Sequence, residues 1–308
     1  MTRTLPFHTV DAFSPRPFGG NPAAVIVFSE DAAEQQLAAD DALLQKIAAE
    51  FNLSETAFAR KLAGQGSEEE PVYELRWMTP TNEVPLCGHA TLATAHTLFS
   101  KHHPSASSIR FTTRFSGDLY AVRASSGLIA LDFPAASTLT LSEGHRRLPK
   151  IVQAVREATG LAEEQIRRVD WWDAFEGAIV ELSAEVELEK LSVKAKELGT
   201  IGKLITLTVP APASSGYDIY SRVFAPLLGI DEDPVTGAAH TGLAPFWLAP
   251  SSAANLANPT KARQTRMLRA KQVSRRGGEM EVVLSTDGKR VELRGQAKTV
   301  MRGEIELE

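Results

Sequence analysis

Cys87, Gly88 and His89 stand together in "PLCGHATLATAH" (85–96), directly ahead of an alanine-rich run. A thiol and an imidazole at a helix start are groups that move protons. The first amide N–H groups of a helix lack partners within it, and the helix dipole adds partial positive charge there. "EDPVTGAAHTGLAPFW" (232–247) repeats the grammar: a proline, a small polar residue, a glycine, then small residues opening a helix. Gly and Ala at such a start let a ligand approach the backbone closely, and a carboxylate is the natural guest. Two matching starts in one chain point to one ligand gripped by both.

The titratable candidates near them are few. Glu55 follows "FNLS" where a helix gives way to a strand, and Asp233 precedes Pro234 ahead of the second helix. A thiol at a helix N-terminus is more acidic than a free one, which recommends Cys87. Each candidate has an ordinary structural alternative. Glu55 reads equally as an exposed strand carboxylate, His89 as an imidazole satisfied by backbone, Asp233 as a capping residue and Cys87 as a small hydrophobe. Spacing alone does not choose.

The elements that must position these groups follow from pattern. "LPFHTVDAF" (5–13) and "AVIVF" (24–28) read as strands around a Gly/Pro-rich loop. "DDALLQKIAAEFN" (40–52) has apolar residues at helical spacing. "ETAFAR" (55–60) and "VYELRWMT" (72–79) read as strands flanking a polar loop, and Gly88 to about Lys101 as a helix apolar on every side, which requires burial. A meander follows, with turns at 116–118 and 125–127. The second half repeats the plan: a helix at about 147–159, strands near 167–182, a charged amphipathic helix over about 186–198, and strands at 204–209 and 217–226. A second apolar helix then opens in "EDPVTGAAHTGLAPFWLA", and a hairpin turns at Asp287-Gly288. A helix apolar all round needs walls, and a curved sheet supplies them. The fold class expected is α+β, two similar halves, each a curled, mostly antiparallel sheet around a central helix.

The 308 residues are 43% hydrophobic, enough for a large core, and the formal charge of -5 with no basic-aromatic stretch argues against nucleic acid as a partner. No apolar run reaches the ~20 residues of a membrane span, and the N-terminus lacks the pattern of a signal peptide. A single cysteine makes no internal disulfide, which points to a reducing, cytoplasmic location. Cys87 and His89 are too close in sequence for the usual zinc spacing, so no metal is expected. No glycine-rich nucleotide motif is present, so no nucleotide cofactor is expected either.

The combination of "VDAFSPRPFGGNPAAVIV", "FNLSETAFA", "LRWMTPTNEVPLCGHATLATAH", "LDFP", "SRVFAPLLGIDEDPVTGAAHTGLAPFW" and "SRRGGEMEV" resembles the PhzF-like family of phenazine-biosynthesis isomerases, on the diaminopimelate epimerase fold. The resemblance spans nearly the whole chain. It implies two pseudo-symmetric halves with the site in the cleft between them: residues 1–130, to which the last strand (about 297–308) returns, and residues 131–296. It also implies a homodimer acting on a small carboxylate-containing substrate without a cofactor. Carried over by residue, Glu55 matches the catalytic acid/base, with His89 and Asp233 as supporting polar groups. Gly88 and Gly237 match backbone donors to the substrate carboxylate, and Asn21, Cys87, Ala90, Thr236 and Ala238 complete the implied binding set. The family usually has serine at position 238, so Ala238 removes a polar contact and disfavours the phenazine precursor as substrate. Related two-cysteine racemases place one thiol at each helix start. Here those places hold Cys87 and Thr236, and a threonine hydroxyl titrates too high to act as a base. A single carboxylate returning a proton to another carbon, an isomerisation, is therefore expected of Glu55. A racemase or a hydroxy-amino-acid dehydratase using Cys87, or a binding protein without turnover, are the alternatives.

Overall fold

Runs of β-branched and aromatic residues, broken by glycine turns, build each part of the chain into a sheet. The computed structural model describes residues 3–124, 126–249 and 256–307. Ser125, in the turn expected at 125–127, and Glu308, at the end of the expected last strand, lie outside the described residues.

Two compact units form: Met1–Asp132 with Arg294–Glu308, and Phe133–Leu293. In the first, β1 (Arg3–Ala12) pairs antiparallel with β2 (Asn21–Phe28), and β2 runs parallel to β3 (Glu55–Gly66). Next, β3 pairs antiparallel with β4 (Pro71–Met78), which pairs antiparallel with the short β5 (Glu83–Val84) and parallel with β6 (Ser108–Thr113). Antiparallel β7 (Asp118–Arg123) and β8 (Ile129–Pro134) follow. The polar stretch after Arg60 was expected as loop, but β3 continues through it to Gly66, where Gly66 faces Pro71 across the hairpin.

The second unit repeats this order. After β9 (Leu139–Thr140), β10 (Ile166–Trp172) pairs antiparallel with β11 (Gly177–Leu182), and β11 runs parallel to β12 (Ile205–Pro210). Strand β13 (Ile219–Ala225) pairs antiparallel with β12 and with β14 (Ile230–Asp233), and parallel with β15 (Met267–Gln272). Antiparallel β16 (Gly278–Leu284) follows, then β17 (Arg290–Gly295) and β18 (Ala297–Leu307). The strand after each repeat pairs with the first strand of the other: β9 with β10, and β18 with β1.

Helices α1 (Ala32–Ala38) and α2 (Asp41–Phe51) cover one face of the first sheet. Leu44, Ile47 and Ala48 of α2 pack there with Leu5, Ile26 and Phe58. Fully burying one leucine of this kind contributes roughly 2 kcal/mol. The other face holds α3 (Gly88–Thr97), in contact with β1, β2, β3 and β18. Its hydroxyls survive in apolar surroundings by bonding back one turn: Thr91 to Cys87 O, Thr94 to Ala90 O and Thr97 to Ala93 O, at 2.6–3.0 Å.

In the second unit α4 (Leu148–Thr159) packs Ile151 and Val155 on the outer face with Val180, Leu207 and Phe224. The charged helix expected over 186–198 is corrected to a single turn, α5 (Ala195–Leu198). Two carbonyls that such a helix would use internally, those of Leu188 and Leu191, instead accept from Arg222 Nη1. Val186 and Leu188 are both buried at a spacing of two, which one side of a helix does not allow. Buried α6 (Gly237–Leu248) contains Pro245, whose missing N–H frees the carbonyl of Thr241; Ala136 N donates to it at 3.2 Å.

Candidate active site

Glu55 is placed by two local devices. Helix α2 ends on Asn52, whose left-handed conformation (φ 50°) and N–H bond to Ala48 O stop the helix abruptly. Three residues later Glu55 begins β3, paired beside Ala23 of β2. Strand β2 itself begins at Asn21, after Gly20 at φ +63°, where a Cβ would lie 2.1 Å from Ala12 O; only glycine makes that turn.

At the other side of the site, Arg76 of β4 holds β5 through two bonds to Glu83, Nε–Oε1 and Nη2–Oε2, both 2.8 Å. Its Nη1 also reaches Asp41 at 2.7 Å. This ion pair fixes the segment that runs from β5 through Pro85 into Cys87. Arg76 lies in the apolar end of its strand, "LRWM", and holds the carboxyls of Asp41 and Glu83 below their ordinary range.

Three chemical groups converge as a result. His89 Nε2 lies 3.3 Å from Glu55 Oε2, and Cys87 Sγ lies 3.5 Å from His89 Nδ1. Ser54 Oγ is 3.5 Å from His89 Nε2 and 3.5 Å from Asn21 Oδ1, linking Asn21 to the group. Burial raises the Glu55 pKa above the ordinary carboxylate value, opposed by hydrogen bonds from Ser54 and Cys87. The Glu55 side chain keeps 17% exposure, so a ligand can reach it. No side chain caps the start of α3, and the positive end of the helix dipole there favours an anion.

A carboxylate oxygen, a thiol sulfur and an imidazole nitrogen of Glu55, Cys87 and His89 lie within 4.8 Å of one another, donor types that suit a divalent transition ion. The thiol and the carboxylate lie nearest to different ring nitrogens, Nδ1 and Nε2, and one ion takes only one of them.

In the second unit Asp233, the last residue of β14, accepts from the hydroxyl of Thr236. Gln272, fully buried on β15, brackets the same turn: its Nε2 donates to Asp233 O at 2.6 Å and its Oε1 accepts from Thr236 N at 2.9 Å. Gly237 and Ala238 open α6, again without a side-chain cap. His240, one turn in, is 2.8 Å from Thr236 O through Nδ1, and burial lowers its pKa to about 4. The glutamine, Ser54 and the Arg76 pair were missed by sequence reading. A charged residue followed by large apolar residues within a strand, as in "LRWM" and "YSRVF", was the available signal for the arginines.

A family model described as phenazine biosynthesis-like protein matches residues 10–303. Phenazine biosynthesis-like domain-containing protein 1 of Mus musculus is 38% identical, over 98% of this chain and 99% of its own length. Uncharacterized isomerase BH0283 of Halalkalibacterium halodurans is 36% identical, over 99% of each. The crystal structure of a phenazine biosynthesis protein of the PhzF family from Enterococcus faecalis matches with a TM-score of 0.79 at 32% identity, covering 99% of this chain and 100% of that one. The chain belongs to the phenazine biosynthesis-like (PhzC-PhzF) family.

Proposed function

We propose that this protein is an isomerase that moves a proton on a small carboxylate-bearing metabolite, with Glu55 as the single acid/base and without a cofactor. The observation that carries this reading is the Glu55 carboxyl itself: sheltered enough to raise its proton affinity, 3.3 Å from His89, and beside the uncapped start of α3. A raised carboxylate pKa brings the base nearer to neutral pH, where it both takes and returns a proton. The amides from Gly88 to Ala90 offer donors to the substrate carboxylate. His89 orients Glu55 and donates to charge that develops as the proton leaves. The name of the Halalkalibacterium halodurans relative, an isomerase, supports this class.

The test is deuterium exchange, followed by NMR, of a panel of small cyclic and amino-acid-like carboxylates in deuterated water. The protein should catalyse exchange at one carbon-bound position of at least one panel member, and Glu55→Gln should lower that rate about 1,000-fold while keeping the fold. Exchange that persists in Glu55→Gln removes Glu55 from the role. Asp233→Asn in the same assay asks whether the carboxylate beside α6 takes part. A second reading rests on the contact of Cys87 with His89 and makes the thiol the base. Cys87→Ala with full exchange activity rejects it.

A further inference from the structure

Away from Glu55, the first unit contains a second, basic cavity at the far end of α3. It has a volume of about 380 Å³ and is lined by His8, His96, Ser100, Lys101 and the run from Lys298 to Arg302. That volume is in the range of small-molecule sites. Among the described residues no acidic side chain lines it, and none of Lys101, Lys298 and Arg302 makes an ion pair.

Three elements bring these cations together. After Thr97 the helix widens into a π-helical turn, Leu98–His102, closed by His103 N to Leu98 O at 2.7 Å; it carries Lys101. Such turns frequently accompany functional sites. Strand β18 faces β1 with His8 opposite Arg302 and Thr9 opposite Met301, but Val10 opposite Thr299. Val300 is therefore an extra residue, a β-bulge, at the centre of the cavity lining. The bulge sets Thr299 on the same face as Arg302, three positions away, which regular alternation forbids. Thr299 Oγ1 then meets His96 Nε2 at 3.2 Å.

The electrostatics are those of a site that lacks its counter-charge. Burial, then Lys298, Lys101 and His8, drive the His96 pKa down to about 4. His8 is lowered by burial, then by Lys101 and Arg302, and His102 by burial, then by His103 and His8. Along the ladder Asp11 lies opposite Lys298, and Glu304 lies two pairs beyond Arg302, opposite Pro6; neither lines the cavity. The carbonyl end of α3 favours cations and accounts for Lys101 and His102. It does not account for His8, Lys298 and Arg302, which come from strands.

We propose that this cavity is a binding site for a small phosphate-bearing anion, with Lys101, Lys298 and Arg302 pairing the phosphate oxygens and His8 and His96 donating once protonated. The cavity is larger than inorganic phosphate requires, so a phosphorylated organic molecule or pyrophosphate fits the chemistry.

The test uses the full-length protein at pH 6, with pyrophosphate and glycerol 3-phosphate as separate probes and His8 and His96 ring resonances as the readout. Either probe should shift both histidines saturably, and affinity should rise as the pH falls, because a bound anion favours both imidazolium forms. Tighter binding of glycerol 3-phosphate identifies an organic phosphate as the preferred class; tighter binding of pyrophosphate identifies a polyphosphate. Lys298→Glu/Arg302→Glu, or Lys101→Ala should that pair fail to fold, should weaken binding about tenfold or more. Histidine resonances that stay in place up to roughly 10 mM of both probes, or affinity unchanged in the variants, overturn the proposal.

Discussion

The two repeats share a scaffold and differ in chemistry. Pairing register aligns them: Trp77 pairs with Val84 as Val223 pairs with Asp233, and Thr56 pairs with Met78 as Ile205 pairs with Phe224. On that alignment Arg76 and Glu83 of the first repeat correspond to Arg222 and Glu232 of the second. The second pair is also bidentate, at 2.7 and 2.8 Å. Both helix starts have Gly at the first position and no side-chain cap, and in both the carbonyl of the preceding residue is held from one turn ahead, by Thr91 or by His240. What differs is what faces a ligand. Glu55 corresponds to Leu204, Cys87 to Thr236, His89 to Ala238 and Val84 to Asp233. The cluster of Glu55, Cys87 and His89 belongs to one repeat, and its counterpart keeps the uncapped helix start with one carboxylate in a new place. The two repeats are equivalent frames, and the one-carboxylate reaction proposed above needs reactive groups in only one of them.

His240 gives the largest stability effect that separates the repeats. Its pKa falls from the ordinary 6.5 to about 4 in the folded state through burial. The unfolded chain therefore binds a proton between those values that the native state refuses. Stability is complete above pH 6.5 and is lost as the pH drops toward 4, by roughly 3 kcal/mol at the lower end. His240→Thr, which copies the first repeat, should flatten that part of the stability-pH curve measured by urea unfolding. An unchanged slope would show that His240 is not the group responsible.

The arginine pairs come next. Arg222→Met strands Glu232 and removes the donor to the Leu188 and Leu191 carbonyls, whereas Arg76→Met leaves Glu83 with Arg114 at 3.0 Å. The expected losses are about 3 and about 2 kcal/mol. Asp41 and Glu83 are lowered by Arg76, so the advantage of the wild type over Arg76→Met is present above about pH 4 and shrinks as the pH falls below it. Equal losses in the two variants would mean that the surrounding partners do not matter.

How much of this could be read from residues alone depends on whether the signal is local. Helices α2, α3 and α6 and the Asp287-Gly288 hairpin announce themselves, because periodicity and turn chemistry act within a few residues. The stretch 186–198 did not, because Arg222, distant in sequence, captures its carbonyls. Glu55, His89 and Cys87 were named through motif and family resemblance, and their spacing alone left each with an ordinary explanation. Ser54 and Gln272 were invisible for the opposite reason: a serine and a glutamine carry no pattern until the fold aims them.

The smallest effect bears most directly on the contrast between Glu55 and Leu204. A carboxyl whose pKa is raised by burial binds its proton more tightly when folded than when unfolded. Its contribution is therefore a penalty, fully present above the folded pKa and absent below the unfolded value of about 4.5. Leucine at the matching place carries no such penalty. Glu55→Gln keeps the shape and removes the buried charge, so it should unfold at higher urea than the wild type at pH 7, by about 1 kcal/mol. The difference should close as the pH is lowered through 4.5. A variant that is less stable at pH 7 would mean that the Ser54 and Cys87 bonds outweigh desolvation. The first repeat would then hold Glu55 as a settled structural carboxylate rather than a base kept at a cost to stability.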